Sequence, residues 1–595
     1  MCGICGFSTG NNKELLRAMN ASISHRGPDG DGFFEDKGIS LGHRRLKIID
    51  LSEKGKQPMS NNDGSIWVTF NGEIYNYKEL RKELEKKGHK FNSATDTEVI
   101  VYAYQEYGEK CAELFDGMFA FALWDSKNKK LVLARDPFGK KPLYYSVVNG
   151  QIYFASEIKA LLENPELERR MNKKAVGQLL NFRAVLGKET LFEGIYKVLP
   201  GSYLVWKDGK KTEQRYWQLN SKEEISDEEV AAKKFLELFD AAVEKRLMSD
   251  VPLGTYLSGG VDSSAITALM AKKVEGLKTF TVGFGEKGDE LGYARAIAEK
   301  YSTDHSEVIV DYKDMTKVLP KLVWHMDEPM ADIAFVPMFF LTNVAKKDIT
   351  VSLLGEGSDE LFGGYERYRK TTGMRRFLPQ MIAAKGYLQA DMAFREGEKH
   401  AVLADKENAG SLAPQLNGYF TQGNFLDNAL KFDVEQVLPN YQLMRVDKVT
   451  MSCGLEARAP FLDKQLAEFA FSLRPELKVK GKVGKYIVKK ALRKVLPSNV
   501  LDERKRIFFI PLKQWFRDSL KELSQELLSK ETLKERGLFK YNDVRLKFFL
   551  QGKGVFQNRF ANQLLMLSMI EIWHRTFIDS EKVPKNGINT TELGI

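Results

Sequence analysis

The chain has 595 residues, a formal net charge of +10, 43% apolar residues and 29% charged residues. This length predicts roughly three or four domains, because a single hydrophobic core does not grow so large. The excess of 90 basic over 80 acidic residues is small for so large a surface. It fits anionic substrates such as nucleotides and gives only weak support to nucleic-acid binding.

The number of cysteines and the length of the apolar runs indicate where in the cell the protein is expected to be. Four cysteines are too few for a disulfide framework in a chain of this length, which predicts a reducing, cytoplasmic location. The first residues lack the basic segment and apolar core of a signal peptide. Because the apolar runs stay short, as in residues 118–124, we expect no membrane span.

The first segment with visible chemistry is residues 1–7, MCGICGF. Removal of Met1 would leave Cys2 with its thiol and a free α-amine close together. Free groups of these kinds have pKa values near roughly 8.5 and 8, so the amine can accept the thiol proton near neutral pH. Cys2 and Cys5 could instead begin a zinc site, but zinc needs a second ligand pair, and Cys111 and Cys453 stand alone.

Further segments follow Cys2 in order, namely 24–29 (SHRGPD), 42–50 (GHRRLKIID), 70–76 (FNGEIYN) and 93–98 (SATDTE). Singly, each has a simple structural explanation: Asn71 and Gly72 are typical of a hairpin turn, and Arg45 of a charged surface. Together with Cys2, and in this order, they resemble the glutaminase domain of class II amidotransferases. That resemblance implies an N-terminal-nucleophile fold of layered antiparallel sheets with helices.

The same resemblance implies roles for individual residues. Cys2 would be the nucleophile, and Arg45 would bind the α-carboxylate of glutamine through its guanidinium fork. Asp96 and the Gly72–Glu73 backbone would hold the α-ammonium, while the Asn71 side chain and the Gly72 N–H would form the oxyanion hole. The implied glutamine-binding residues are Arg45, Leu46, Ile48, Asn71, Gly72, Glu73 and Asp96.

The remainder of the first 200 residues is rich in strand signals. Residues 131–136 predict a strand, and Asn149-Gly150 between 143–148 and 151–155 predicts a hairpin. Residues 156–162 then have a helical pattern. We expect a glutaminase domain over 1–205. A linker over 206–230 should follow, with one short strand ending at 216–217 and a charged run after it.

Residues 258–264, SGGVDSS, follow the apolar run 252–257 and precede the helical pattern 265–270. A strand, a glycine turn and a helix start together are typical of phosphate binding. Glycines let backbone N–H groups approach an anion closely, and the helix N-terminus adds partial positive charge. Ser263 and Ser264 could cap the helix or donate hydroxyls to phosphate oxygens. A plain Gly-Ser turn is the structural alternative.

No lysine follows the last glycine of this segment, so it is not a Walker A loop. Asp262 stands in the loop instead, and a carboxylate beside phosphates is a suitable ligand for Mg²⁺. The pattern resembles the loop of the ATP pyrophosphatase superfamily. Its members split ATP between the α- and β-phosphates, adenylate an acceptor and release pyrophosphate.

Strand and helix signals then alternate, with strands expected at 277–284, 306–310 and 349–354 and helices at 289–301 and 312–325. This order predicts a parallel α/β sheet covered on both faces, with ligands at the carboxyl ends of its strands. The last strand leads into residues 355–365, GEGSDELFGGY, a second glycine turn with three carboxylates. Alone it could be an acidic surface turn. With the first loop it predicts a site for Mg²⁺-pyrophosphate opposite Asp262.

More segments add to these two loops, namely 327–337, 443–448 (LMRVDK), 455–463 (LEARAPFLD), 484–486 (GKY) and 511–515 (PLKQW). With them the chain resembles glutamine-hydrolysing asparagine synthetases over residues 1–520. The resemblance implies that Asp262 and Asp359 bind Mg²⁺. Glu356 lies at the position tied to formation of the acyl-adenylate and its attack by ammonia, and Lys485 matches a lysine that stabilises the phosphates. A surface turn residue and a solvated helix lysine are the structural alternatives for these two.

The same resemblance implies that Leu257, Val282 and Gly355 border the adenine and ribose of the nucleotide. The implied ATP-binding residues are Leu257, Ser258, Gly259, Gly260, Val261, Asp262, Ser263, Val282, Leu354 and Gly355. Leu354 departs from the family, which usually has serine at that position. Its backbone could still meet the nucleotide, but any hydroxyl contact is lost.

From Phe516 onward apolar positions recur at helical spacing, as in Leu520, Leu523 and Leu527. We therefore expect an ATP pyrophosphatase-type domain over 231–520 and a helical extension over 521–595. The tail after Lys582 should be loose. No chemistry is visible in the extension.

The leading hypothesis is an ATP-dependent amidotransferase that uses ATP and Mg²⁺. Glutamine would be hydrolysed through a thioester at Cys2, and ammonia would pass internally to a carboxylate activated as its acyl-AMP. Internal transfer has a physical motive, because free ammonia is mostly protonated at neutral pH. The acceptor stays open: family members amidate aspartate, but relatives act on cell-wall amino acids, polyketide acids and sugar acids.

Two rival functions remain. A tRNA-modifying enzyme could use the same loop to adenylate a base, but the glutaminase segments and the lack of a paired-cysteine sulfur site argue against it. A non-catalytic interaction protein could retain the fold, but the set Cys2, Asp262, Glu356 and Lys485 argues against that. We expect small-molecule partners, no nucleic acid and no membrane, with a homodimer as an open expectation.

Overall fold

The structure is a computed structural model that describes residues 2–220, 224–286, 288–330, 332–371, 380–410, 416, 418–421, 423–502, 510, 512–551, 557–581 and 584. Apart from residue 584, the tail expected to be loose after Lys582 lies outside the described residues. Among the helices in these ranges, none is long and apolar enough to cross a membrane.

The strands are β1 (Gly3–Phe7), β2 (Gly30–Asp36), β3 (Ile39–Arg45), β4 (Met59–Ser60), β5 (Ile66–Ile74), β6 (Gly117–Asp125), β7 (Lys130–Arg135), β8 (Tyr144–Val148), β9 (Gln151–Ala155), β10 (Ile195–Lys197), β11 (Ser202–Lys207), β12 (Lys210–Arg215), β13 (Leu253–Tyr256), β14 (Lys278–Gly283), β15 (Asp304–Ile309), β16 (Val351–Leu353), β17 (Glu456–Arg458), β18 (Val479–Lys480) and β19 (Val483–Gly484).

The α-helices before β16 are Lys13–Ser22, Tyr77–Lys86, Thr97–Tyr107, Cys111–Leu114, Ile158–Leu161, Lys173–Phe182, Glu228–Lys245, Val261–Met270, Leu291–Lys300, Tyr312–Lys317, Leu319–Met326 and Phe335–Ala345. Those after β16 are Ser358–Phe362, Glu366–Thr371, Gln380–Gln389, Glu396–Val402, Phe425–Phe432, Leu438–Asn440, Gln442–Met451, Lys464–Ser472, Pro475–Lys478, Tyr486–Ala491, Ser498–Asp502, Leu512–Trp515, Lys521–Leu527, Lys530–Arg536, Tyr541–Gln551 and Gln557–His574.

The N-terminal part consists of two stacked antiparallel sheets with helices outside them. Their strand orders are β10-β8-β9-β1-β3-β2 and β12-β11-β7-β6-β5-β4. A buried cluster that includes Ile4, Leu41, Ala122 and Leu133 fills the space between the sheets. Apolar residues on every second position of β3 and β7 supply this core, as expected for strands packed face to face. The layered glutaminase-type fold predicted from the sequence is therefore confirmed.

The second part is built on a parallel sheet of strand order β15-β14-β13-β16-β17. The chain runs outward from β13 through β14 to β15, and later continues on the other side of β13 with β16 and β17. The order therefore reverses between β13 and β16. In open α/β sheets ligands bind at such a reversal, beyond the carboxyl ends of the strands.

Several local expectations needed correction. The linker expected over 206–230 contains β12, which pairs with β11 along its whole length, so that a hairpin stands where one strand was expected. The helix expected over 312–325 is two helices that meet at Val318, because Pro320 fits the first turn of a new helix but not the interior of one. The fifth parallel strand, β17, was not predicted.

The C-terminal helices share a core with the preceding parts. Leu520, Leu564 and Phe577 lie in one buried cluster with Phe192 and Val323. The indole Nε1 of Trp573 also donates to the carbonyl oxygen of Asp327 at 2.8 Å. The boundaries at 205, 230 and 520 stay predictions, and the packing is continuous across the last of them.

Candidate active sites

Cys2 lies directly before β1, at the junction of the two antiparallel sheets. Its backbone nitrogen donates to Oδ1 of Asn71 on β5 at 3.1 Å, and its Sγ lies 3.9 Å from the carbonyl oxygen of Leu46. The side chain is buried, and burial raises the pKa of the Cys2 thiol. A thiol in this setting is protonated at rest, so it needs a neighbouring base to become a nucleophile.

The predicted oxyanion-hole residues stand beside this thiol. The Asn71 amide is fully buried, and its Nδ2 has no hydrogen-bond partner within the described part of the chain. Gly72 has φ +154, and a Cβ there would lie 2.0 Å from the carbonyl oxygen of Met118. Only glycine fits this backbone. A buried donor without a partner is costly unless a ligand satisfies it.

Arg45 ends β3 and is held by backbone oxygens. Its Nη1 donates to the carbonyl of Ser52 at 2.8 Å, and its Nη2 donates to that of Asp50 at 2.5 Å. Leu46 and Ile48 follow it and are buried. Because carbonyls fix two guanidinium nitrogens, the orientation of this cation is set before any ligand arrives.

Two carboxylates line the neighbouring wall. Asp96 Oδ2 accepts from the Ile74 backbone N–H at 2.8 Å, and burial raises the pKa of Asp96 to about 6. Burial also raises the pKa of Glu73, whose Oε1 lies 3.6 Å from Nη2 of Arg458. This pair is suited to holding an ammonium group.

The predicted phosphate loop follows β13. Leu257 donates its N–H to the carbonyl of Phe280 on β14 at 2.9 Å. Gly259 has φ +74, and a Cβ there would lie 2.5 Å from Cβ of Tyr293. The Ser258 N–H donates to Oγ of Ser263 at 3.2 Å, which closes the turn onto the helix Val261–Met270 that begins after Gly260. The strand, turn and helix expected from the sequence are all present.

The second loop lies across the reversal from the first. The Leu354 N–H donates to the carbonyl of Arg458 at 2.8 Å, and a Cβ at Gly355 would lie 2.8 Å from Cβ of Asp262. Val282 is the last residue but one of β14 and lies at the same edge of the sheet. The residues predicted to contact the nucleotide, which are far apart in sequence, therefore share one crevice.

Two carboxylates and a lysine meet at the floor of this crevice. Asp262 Oδ1 accepts from the Ser358 hydroxyl at 2.7 Å. The Nζ of Lys485 lies 2.5 Å from Asp262 Oδ2 and 2.8 Å from Asp359 Oδ1. Carboxylate oxygens from two loops fit Mg²⁺, which takes one or two of them and completes its shell with phosphate and water. Among described residues no group of three or more His, Cys, Asp or Glu is placed to hold a metal.

Glu356 is held by a cation that the sequence did not single out. Arg445, on the helix Gln442–Met451, ion-pairs with Glu356 Oε1 at 3.2 Å and also with Asp332. Burial raises the pKa of Glu356, and Arg445 opposes that rise. Glu356 lines a cavity of about 20 Å³ whose walls include Lys141, Asp447 and Arg458. Arg458 also contacts Glu73, so this cavity lies between the two sites.

Arg26 lies in the segment 24–29, but no individual role could be predicted for it from the sequence. Its Nε donates to the carbonyl of Cys2 at 3.2 Å, while Nη1 and Nη2 bind Glu157 and Asp447, each at 2.8 Å. The sequence did contain a signal for buried ion pairs. Arg445 and Asp447 are charged residues among apolar neighbours, and charged side chains are seldom buried without a partner.

Comparison with known proteins gives a family match for each of the two parts of the chain. The family described as "Asparagine synthase" matches residues 234–575, and the one described as "Glutamine amidotransferase domain" matches residues 1–217. The chain is 34% identical to "Asparagine synthetase [glutamine-hydrolyzing] 1" of Bacillus subtilis, over 98% of each chain. It is 32% identical to number 3 of the same organism, over 85% of this chain and 86% of that one.

A fungal relative carries a different name. "Amidase chyE" of Penicillium rubens is 30% identical over 87% of this chain and 88% of its own. Two matched families cover the N-terminal thiol site and the parallel-sheet site separately, and the relatives span nearly the whole length. The chain therefore belongs to the asparagine synthase family of glutamine-dependent amidotransferases.

Proposed function

We propose that the protein makes asparagine from aspartate, glutamine and ATP, with glutamate, AMP and pyrophosphate as the other products. The observation that carries this proposal is the pair of facing loops at the sheet reversal. One presents Asp262, and the other presents Glu356 and Asp359. The names of the bacterial relatives support aspartate as the acceptor.

At the first site Cys2 attacks the side-chain amide carbon of glutamine. The free α-amine of Cys2 takes the thiol proton, since burial otherwise keeps the thiol protonated. Asn71 Nδ2 and the Gly72 N–H stabilise the oxyanion. Arg45 binds the α-carboxylate and Asp96 the α-ammonium, with Leu46, Ile48 and Glu73 completing the pocket. The protonated α-amine gives its proton to the leaving nitrogen, so that ammonia departs and a glutamyl thioester remains on Cys2. Water then hydrolyses this thioester to glutamate and restores the thiol.

Ammonia then passes inside the protein to the second site. The small cavity between Glu356 and Arg458 supports this route, because it lies between the glutamine wall and the acceptor loop. An internal path protects ammonia from protonation, which would remove its nucleophilic lone pair.

At the second site the Ser258–Ser263 loop, which includes Val261, and Leu354 hold ATP, with Leu257, Val282 and Gly355 around the adenine and ribose. Mg²⁺ on Asp262 and Asp359 would neutralise charge that develops on the leaving pyrophosphate. Lys485 stabilises the phosphates in the transition state. The side-chain carboxylate of aspartate attacks the α-phosphorus of ATP and displaces pyrophosphate, which gives aspartyl-AMP. Ammonia then attacks the acyl carbon and displaces AMP, while Glu356 takes the proton that ammonia loses.

We also propose the domain organisation, the location and the assembly of the protein. Residues 1–205 and 231–520 would be the two catalytic domains, joined by 206–230 and followed by the extension 521–595. All four cysteines are free thiols, which supports the cytoplasm as the location. A homodimer is the proposed assembly.

The decisive experiment measures pyrophosphate release with ATP, ammonia and a panel of carboxylates. Aspartate should give the largest kcat/KM, and the nucleotide product should be AMP. If a cell-wall amino acid, a polyketide acid or a sugar acid has a larger kcat/KM, that acid and not aspartate is the acceptor. Stoichiometric ADP would contradict the acyl-AMP route altogether.

A further inference from the structure

The backbone conformation at Lys485 fixes the position of this residue. It follows the hairpin β18–β19 and has φ +52, a left-handed conformation that is uncommon for lysine. Its N–H donates to the carbonyl of Phe362 at 3.2 Å. A Cβ on Gly484 would lie 2.5 Å from the carbonyl oxygen of Gly363. The hairpin is therefore packed directly onto the second acidic loop.

The side chain reaches both predicted metal ligands at once. One nitrogen, Lys485 Nζ, lies within hydrogen-bond distance of Asp262 Oδ2 and Asp359 Oδ1, and the residue is only 5% exposed. Burial alone would lower the pKa of Lys485, but the two carboxylates raise it. Gly364 closes the cluster, because a Cβ there would lie 1.7 Å from Asp359 Oδ1 and 2.3 Å from Cε of Lys485.

Mg²⁺ needs these same oxygens. It binds oxygen at roughly 2.0–2.1 Å in near-octahedral geometry. An ammonium at 2.5 and 2.8 Å from one oxygen of each carboxylate lies where a shared metal ion would lie. The other Asp262 oxygen, Oδ1, already accepts from Ser358. Two cations cannot share the pair at such distances without strong repulsion.

We propose that Lys485 and a divalent cation compete for Asp262 and Asp359, so that the cation binds only together with the triphosphate. The phosphate oxygens give the displaced ammonium a new partner, which moves it to the position its proposed catalytic role requires. Free divalent cations would not saturate the site before the nucleotide arrives. This inference rests on the proposed assignment of Asp262 and Asp359 as metal ligands.

The test uses Mn²⁺ as the probe, with electron paramagnetic resonance of the full-length protein in the absence of nucleotide. Lys485→Met removes the ammonium and keeps the apolar stem. It should bind one Mn²⁺ about tenfold to a hundredfold more tightly than the unaltered protein, because a charge-assisted competitor is gone. The added substitution Asp262→Asn should abolish that gain. Lys490→Met is the matched control, since Lys490 pairs with Glu228 and Glu229 instead.

A second set of measurements separates the two hypotheses. Mn²⁺ is titrated with α,β-methylene ATP into the unaltered protein and into Asp262→Asn. If the two bind alike, the metal assignment itself is wrong and the competition fails with it. If Asp262→Asn weakens binding but Lys485→Met takes up free Mn²⁺ no better than the control, only the competition is overturned. Lys485→Gln repeats the test if the methionine variant does not fold, with glutamine hydrolysis at Cys2 as the check on folding.

Discussion

Arg445 forms an ion pair of 3.2 Å with Glu356, which lines the cavity between the two candidate sites. Arg445 also binds Asp332, so one guanidinium orients two carboxylates that approach from different segments. An ionised Glu356 is needed if this residue accepts a proton from ammonia. The arginine is therefore expected to set the pH range of the synthetic step.

Replacing Arg445 by methionine should move the acid limb of ammonia-dependent synthesis to higher pH. Burial raises the pKa of Glu356 and Arg445 opposes that rise, so removing the cation raises this pKa further and the base is lost at a higher pH. The maximal rate should fall roughly tenfold to a hundredfold. The measurement is kcat/KM against pH, corrected for the fraction of unprotonated ammonia. Arg474→Met, at an exposed pair with Glu224, is the control. If the acid limb of the pH profile does not shift in Arg445→Met, Arg445 does not control the pKa of Glu356.

Cys2→Ala should abolish synthesis from glutamine and leave synthesis from ammonia largely intact. The reason is that the Cys2 thiol, which lies beside the Leu46 carbonyl, belongs to the glutaminase site and not to the ATP crevice. Cys5→Ala is the matched control, because Cys5 is a buried thiol three residues further along the chain, in β1, with no proposed chemistry. It should keep both activities. Equal loss with both nitrogen donors in Cys2→Ala would contradict a model with two separate sites.

The KM for glutamine should rise as pH falls below about 6 in a hydrolysis assay without ATP. Burial raises the pKa of Asp96 to about 6, and only the ionised carboxylate attracts the α-ammonium of glutamine. Protonation of Asp96 therefore weakens glutamine binding below about pH 6 and has no effect above neutral pH. Asp96→Asn should have a high KM at every pH, with the acid dependence gone. A KM in the unaltered protein that stays constant through pH 6 would exclude Asp96 as the ammonium ligand.

The sequence was most informative where structure depends on neighbours in the chain. The apolar run before Ser258, the glycines and the helical pattern after it predicted β13, the turn and the helix Val261–Met270. The hairpin around Asn149-Gly150 followed from the same kind of local signal, since those residues tolerate positive φ.

Structure that depends on contacts between residues far apart in the sequence could not be predicted. β17 has three residues, of which Glu456 and Arg458 are charged, and such a pattern does not predict a buried strand. These two side chains are buried because they ion-pair with each other at 2.6 Å. Lys485 could be aligned with a family motif, but its contact with Asp262 spans 223 positions and no spacing rule predicts it.

Arg26→Met should be among the most destabilising single substitutions at the contact between the two parts of the chain. Arg26, Glu157 and Asp447 have side chains at most 2% exposed, and Arg26 pairs with Asp447 at a separation of 421 positions. Breaking a buried ion pair costs roughly 3–5 kcal/mol, because the partner keeps an uncompensated charge in a low dielectric. The observable is the midpoint of the first thermal unfolding transition, which should fall clearly below that of Arg170→Met, an exposed pair with Glu168.

The partners allow a sharper version of this test. Glu157 and Asp447 also contact Lys159 and Lys141, so part of the charge stays compensated when Arg26 is lost. Asp447→Leu combined with Arg26→Met should therefore be less destabilised than the sum of the two single variants. Strict additivity would mean that the Arg26–Asp447 contact contributes nothing to holding the two parts together. Because Arg26 also donates to the Cys2 carbonyl, glutamine hydrolysis should fall in the single variant even at temperatures where it is fully folded.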